Sequence, residues 1–369
     1  MTGCLIVGAG VIGLMTAREL TRAGMRVTVV ERGETGRESS WAGGGILSPL
    51  YPWRAPQAIT QLVQWGQRAY PALAKELLAE TGIDIEYTPS GMLHLDAGEY
   101  EQARRWAEQV KARLDMLSGA ALKKSEPSLS AGIRSGLYFP EVAQVRNPRL
   151  LRALRQSLAQ RGVRIEEGCE AVGLCVARNQ VTGVETTRGV IPAGQIIIAA
   201  GAWSGTLGVR LDIAPVRGQM ILFRARPGLL QRIVVRAEHY LIPRRDGRVL
   251  SGSTVEHVGF DRATTAEALA QLKTAALEMA PSLGECKIER HWAGLRPGSS
   301  HGIPTIAEHS GIRGLYVNSG HFRNGIALAP ASARLMADLV LDRPAIFDSP
   351  AYAMPLKPGA VNFTRADGL

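Results

Sequence analysis

Gly8, Gly10 and Gly13 stand in a Gly-x-Gly-x-x-Gly spacing directly after the apolar run Leu5-Ile6-Val7. Each glycine answers a separate need of a diphosphate site. Gly8 permits a tight turn out of a strand, Gly10 lets the backbone approach a pyrophosphate, and Gly13 lets a helix pack closely on its sheet. A helix beginning at Val11 then offers unpaired N–H groups and the positive end of its dipole to the anion. Glu31 ends the next apolar run, Val27-Thr28-Val29-Val30, 23 residues after Gly8. A carboxylate there accepts hydrogen bonds from ribose hydroxyls and repels a 2′-phosphate. These residues predict a dinucleotide site and by themselves fit NAD and FAD alike.

Three further groups of residues carry chemistry. The segment Arg37-Glu38-Ser39-Ser40-Trp41-Ala42-Gly43-Gly44-Gly45-Ile46 has two adjacent hydroxyls and three successive glycines. It suits a backbone wrapped round a second part of a long cofactor, or a surface loop. Arg296 lies in the apolar, glycine-containing stretch Trp292-Ala293-Gly294-Leu295-Arg296-Pro297-Gly298. A planar guanidinium there can grip a carboxylate through two parallel hydrogen bonds, or serve a structural ion pair. Tyr240, in the strand-like run His239-Tyr240-Leu241-Ile242-Pro243, can donate a phenolic hydrogen bond to the same carboxylate or simply pack. His321 suits a cofactor contact or packing better than acid–base work.

The elements that must hold these groups read clearly at both ends of the chain. Residues 5–7 and 27–30 are continuous apolar runs, the pattern of strands buried on both faces, and residues 11–23 between them have helical periodicity, with Gly24 placed to end the helix. Residues 58–80 and 100–116 predict two amphipathic helices. Residues 171–200 predict a meander of short strands, with turns at Asn179-Gln180 and Arg188-Gly189, running into a buried strand that ends at Gly201. Arg245-Asp246-Gly247 predicts a hairpin between residues 239–243 and 248–253. Residues 314–320 predict a strand and 326–341 a helix, with Gly325 at its start; the tail after Asp342, rich in proline and small residues, predicts an extended segment.

Composition narrows the class. The chain has 369 residues, 46% hydrophobic and 21% charged, enough for a large core and two or three structural units. Fibrous and disordered classes are excluded. No uncharged apolar run reaches the length of a spanning helix, and the N-terminus has no basic region of the kind a signal peptide carries, so a cytoplasmic protein is expected. Cys4, Cys169, Cys175 and Cys286 have no zinc spacing and predict reduced thiols and no metal. The net charge is +10, yet 36 of the 43 basic residues are arginines scattered along the chain. That scatter predicts a solvated surface and no nucleic-acid partner.

Four stretches taken together resemble the D-amino-acid oxidase family of flavoproteins: the opening unit, the Ser-Ser-x-Ala-Gly-Gly-Gly loop, Ile197-Ile198-Ala199-Ala200-Gly201-Ala202-Trp203-Ser204, and the pair Trp292–Gly298 and Gly320-His321-Phe322-Arg323-Asn324-Gly325-Ile326. The likeness runs to about residue 345 and is nearest to the glycine oxidase branch, associated with making the thiazole of thiamine. It implies an α/β protein with a Rossmann-like FAD-binding domain (1–84, 145–214 and 297–369) and a substrate domain on a mixed or antiparallel sheet (85–144 and 215–296). It implies non-covalent FAD, since Cys286 precedes the C-terminal blocks. Beyond the glycine motif, it places Val11, Ile12, Glu31, Arg32, Ser39, Ser40, Gly44, Gly45, Ile46 and Gly201 against FAD. The backbone of Val172 meets the adenine, and His321, Phe322, Arg323, Asn324, Gly325, Ile326 and Ala327 pass the flavin ring. Arg296, Tyr240 and Arg323 hold the substrate, with Tyr51 and Val255 beside them.

The implied activity is oxidative deamination of glycine, sarcosine and small D-amino acids by hydride transfer to flavin, reoxidised by O2 to give H2O2, ammonia and a 2-oxo acid. A neutral amine pushes the hydride out as the imine forms, so no dedicated side-chain base is required. The bulk of Tyr51 narrows the site, whereas a short Val255 widens it. A homotetramer without stable membrane association is implied. The competing reading is a D-amino-acid dehydrogenase that passes electrons to a quinone.

Overall fold

The computed structural model describes residues 3–95, 97–347 and 350–354. Two large sheets organise it. The first has six strands in the order Thr305–Glu308, Leu315–Ser319, Ile196–Ile198, Cys4–Val7, Val27–Val30, Arg164–Glu166. All neighbours are parallel except the edge pair Thr305–Glu308 and Leu315–Ser319. The apolar runs explain this sheet. Cys4, Ile6, Val29 and Ile197 join one core cluster, and Leu5, Val7, Val30, Ile196 and Ile198 join another. Side chains alternate across a strand, so a run without polar residues is stable only when both faces are covered.

The first face is covered by four helices: Val11–Arg22, Gln57–Thr81, Asn147–Gln160 and Gly325–Val340. The helix over residues 58–80 is present with one more residue at each end. It meets the last helix at Gly66, where a Cβ would lie 2.2 Å from the Ala327 carbonyl oxygen. The expected helix over 100–116 is shorter. It runs Tyr100–Val110, stops at Lys111 in the left-handed region (φ 56°), and Met116 belongs to the strand Asp115–Ser118. Sheet pairing with Ser135–Phe139 overrides helical periodicity there.

The meander Ala171–Ala177, Gln180–Thr186, Gly189–Pro192 forms a separate three-stranded sheet. Its first turn is centred on Arg178 and Asn179, both at positive φ, one residue earlier than expected.

The second large sheet has eight strands in the order Lys287–Ser299, Ile213–Arg224, Arg248–Gly252, His239–Pro243, Ile233–Arg236, Met92–His94, Ser135–Phe139, Asp115–Ser118. It is antiparallel except where Ile233–Arg236 runs parallel to Met92–His94. The expected hairpin forms with its turn at residues 244–247. Of the tail after Asp342, residues 350–352 form a 3₁₀ turn in which Tyr352 is buried and donates to the Ala58 carbonyl; the part beyond 354 lies outside the described residues. Among the described residues no helix is long and apolar enough to cross a membrane.

Candidate active site

One cavity connects the two large sheets. At one end it is lined by Gly8, Gly10, Val11, Ile12, Glu31, Arg32, Ser39, Ser40 and the segment Gly43–Ile46; at the other by Tyr51, Tyr240, Arg296 and Arg323. The first end lies at the carboxyl ends of the central parallel strands, where an α/β sheet reverses its strand order and binds ligands.

The glycine positions are dictated by close approach. Gly8 has φ +110°, and a Cβ on it would stand 2.5 Å from the Ala199 carbonyl oxygen. Gly13 does not line the cavity; its Cβ would stand 1.9 Å from the Gly8 carbonyl oxygen, so it seats the helix on the turn. Gly10 caps that helix with no side-chain hydrogen bond, and no acidic residue occupies the first turn. Its leading N–H groups therefore face the cavity as donors without intrahelical partners. Ser40 Oγ accepts from the Val11 N–H at 3.0 Å. Glu31 accepts from the Ala9 N–H at 2.8 Å and the Gly33 N–H at 3.0 Å, fixing the carboxylate beneath the glycine turn. Arg32 lies 3.4 Å over the Trp203 ring.

The loop over residues 43–46 is held by residues that sequence reasoning did not single out. Arg244 is buried and donates to the Gly44 carbonyl at 2.6 Å, the Val145 carbonyl at 3.0 Å and Gln144 Oε1 at 2.7 Å. Burial pulls its pKa down to about 10. Asn147 Nδ2 donates to the Ser40 and Gly43 carbonyls. Nothing local marks these contacts, which join residues about a hundred or more positions apart.

At the other end, Arg296 Nη2 donates to Ser253 Oγ at 2.7 Å and Nη1 to the Thr254 carbonyl at 3.0 Å. Among the described residues it has no carboxylate within ion-pair distance. Burial lowers its pKa, and the Arg323 charge adds to the fall against the opposing pull of Tyr240 and the more distant Glu256. Tyr240 is buried, with its hydroxyl 3.8 Å from Met220 Sδ. Tyr51 is buried and donates to the Ala237 carbonyl at 2.9 Å. Arg323 is paired with Glu238. His321 is buried, with Nε2 3.0 Å from Ser332 Oγ, and burial lowers its pKa to about 3. It is a neutral imidazole at any working pH.

The comparisons with known proteins agree with this geometry. Residues 4–339 match the family described as DAO, FAD dependent oxidoreductase. The chain belongs to this family. It is 49% identical to a glycine oxidase of Pseudomonas aeruginosa over 95% of this chain and 97% of that one. It is 45% identical to a glycine oxidase of Pseudomonas putida, with the same coverage. Its fold is similar to the crystal structure of glycine oxidase from Geobacillus kaustophilus, with a TM-score of 0.92, 30% identity and coverage of 96% of this chain and 99% of that one.

FAD, the cofactor of the family, fits what the chain presents. Gly8, Gly44 and Gly45 line the cavity with bare backbone, because a Cβ on them would collide with Ala199, Ile242 and Val145, and two helix N-termini, at Val11 and at Gly325, face the cavity without acidic residues in their first turns. Gly201, His321, Phe322, Asn324, Gly325 and Ile326 line the same cavity. Besides Gly13, three expected contacts lie elsewhere. Val172 is 51% exposed and off the cavity, which Cys169, Glu170 and Ala171 line in its place, so the segment enters the cavity before the strand residue expected. Ala327 turns into the helix core against Gly66. Val255 is 40% exposed and does not line the cavity. Cys286 packs against the cluster of Leu272, Ala276 and Leu283, away from the cavity.

Proposed function

We propose that this chain oxidises glycine, sarcosine and small D-amino acids to imines that water hydrolyses to a 2-oxo acid and ammonia or methylamine. The observation that carries this reading is Arg296, a guanidinium without a carboxylate partner among the described residues, in the same cavity as the diphosphate cradle. A substrate carboxylate supplies the missing counter-charge. Arg296 takes it through parallel N–H donors while Ser253 and Thr254 hold the guanidinium, and the Tyr240 hydroxyl donates a further hydrogen bond. These contacts fix the substrate's α-carbon, which converts an encounter into an oriented reaction.

FAD held by the glycine cradle would supply the two-electron acceptor for the substrate's hydride, with O2 and two protons as the final acceptor giving H2O2. The chain's own part is positional and electrostatic. The helix Gly325–Val340 aims its positive end into the cavity, where negative charge is stabilised. His321, held neutral, is not a proton acceptor of useful strength, and the reaction asks for none once the amine is neutral. Tyr51 narrows the substrate end and Val255 leaves it unaltered, which favours small amines.

The test is the anaerobic absorbance of the purified protein with glycine added. Bleaching of the bound-flavin band near about 450 nm, then recovery with peroxide on admitting air, is expected. Bleaching without recovery in air supports the quinone-linked dehydrogenase instead, and no flavin band after incubation with FAD overturns both.

A further inference from the structure

Three guanidiniums line the substrate end of the cavity: Arg54, Arg296 and Arg323. Two are matched by carboxylates. Arg54 Nε donates to Glu99 at 2.9 Å, and Arg323 Nη1 donates to Glu238. Arg296 alone of the three has only carbonyl and hydroxyl partners among the described residues. Arg323 contributes to the lowering of the Arg296 pKa, so the two cations are within electrostatic reach of one another.

Glu238 is placed for this pairing. It sits at the tip between the strands Ile233–Arg236 and His239–Pro243, two residues before Tyr240. The preceding residue, Ala237, has φ 48°, and its carbonyl accepts the Tyr51 hydroxyl at 2.9 Å. The tip is therefore pinned at two points: Tyr51 to Ala237 and Arg323 to Glu238. Arg323 holds the Glu238 carboxyl below its ordinary range, so it is ionised at neutral pH. The second terminal nitrogen of Arg323 is buried and has no hydrogen-bond partner among the described residues.

We propose that Glu238 restricts this site to substrates with one carboxylate. The proposal rests on the amine-oxidation reading above. A substrate bound by Arg296 and carrying a second carboxylate needs a second guanidinium, and Arg323 is the one beside it. Glu238 already occupies one edge of Arg323 and repels an incoming anion. With a neutral amide at position 238, the Arg323 charge is uncompensated and the Nη1 that paired with Glu238 is free to donate to a second carboxylate, so dicarboxylates gain a partner that monocarboxylates do not use.

The experiment uses the full-length holoenzyme as wild type, Glu238→Gln, Glu238→Asp and the double variant Glu238→Gln with Arg323→Met. kcat/KM is measured for glycine, D-alanine, iminodiacetate and D-aspartate. Binding of malonate and of acetate is titrated through the cofactor's absorbance. In Glu238→Gln the ratio of dicarboxylate to D-alanine turnover, and of malonate to acetate affinity, is expected to rise about tenfold or more, mostly through KM. Glu238→Asp keeps the wild-type ratios, and the double variant loses the gain. A general disturbance of the fold changes rates on all four substrates without moving these ratios. Unchanged ratios in Glu238→Gln, or a gain that survives in the double variant, overturn the proposal while leaving the amine-oxidation reading intact. A flavin-loaded wild type that neither turns over glycine nor binds acetate overturns that reading, and this proposal with it.

Discussion

The Arg296 guanidinium lies across the bare backbone of Gly218: a Cβ on Gly218 would stand 2.0 Å from Nη2 and 2.2 Å from Cζ. The two residues are on neighbouring strands, where Gly218 pairs with Gly294 and Val216 with Arg296. The guanidinium folds back over the one position that has no side chain to obstruct it, and there it meets Ser253 and Thr254.

Gly218→Ala tests that relationship. The obstructing atoms are the far end of a flexible side chain, so the guanidinium moves and the sheet stays. KM for glycine is expected to rise, with kcat/KM down about tenfold to a hundredfold, because a shift of about 1 Å in a positioning group costs that much. FAD content per chain is expected to match wild type. Steady-state kinetics beside a cofactor assay check both, and wild-type kinetics would contradict the assigned role of Arg296.

Arg296→Lys keeps the charge and removes the planar pair of donors. A loss of about 2–5 kcal/mol in kcat/KM is expected, since a lysine cannot reproduce a bidentate grip. The same variant is expected to weaken acetate binding to the holoenzyme, read by absorbance titration.

Gly13→Ala is the opposite case from Gly218. Its Cβ would stand 1.9 Å from the Gly8 carbonyl oxygen, a backbone atom with no freedom to withdraw. The helix must lift from the turn. A stability loss of about 1–3 kcal/mol or more in thermal or denaturant unfolding, together with loss of bound FAD, is expected.

Arg244→Met removes the donors to Gly44, Val145 and Gln144. Buried acceptors left unpaired cost about 1–3 kcal/mol each. The loop over residues 43–46 then loses its anchor. A weaker FAD dissociation constant is expected with little change in substrate selectivity, measured by equilibrium titration of apoprotein with FAD.

His321 gives a pH dependence of stability. Its pKa falls from 6.5 to about 3 on folding, so the unfolded chain binds the proton more readily than the folded one. The contribution is fully present above pH 6.5 and is lost progressively as pH falls toward 3. His321→Asn is expected to flatten the acid side of the stability curve over that window, measured by denaturant titrations at several pH values. The activity profile above pH 7 is expected to keep its shape, because His321 stays neutral throughout that range.

Much of the cofactor half is legible in the sequence. The apolar runs at 5–7 and 27–30, the glycine spacing and the acid at Glu31 are all local, and together they specify the strand–turn–helix–strand unit that forms. The last helix is legible for the same reason, since its periodicity and its opening glycine lie within one segment. The helical pattern over 100–116 misleads past Val110, because strand pairing with Ser135–Phe139 outweighs local periodicity, and only the partner strand reveals it.

The dinucleotide cradle, the class of fold and a short roster of cations and phenols able to bind an anion are written in the order of residues. Neighbouring residues set backbone conformation and burial patterns, and these are enough for a motif confined to about thirty residues. Other facts exist only once the chain is folded: which arginines are left without a carboxylate, that Ala171 and not Val172 faces the cavity, that Val255 lies outside it, and that Arg244 and Asn147 hold the glycine loop. Each depends on bringing together residues far apart in the chain. Scattered arginines look alike in sequence; which of them finds a carboxylate depends on where the folded backbone brings the carboxylates.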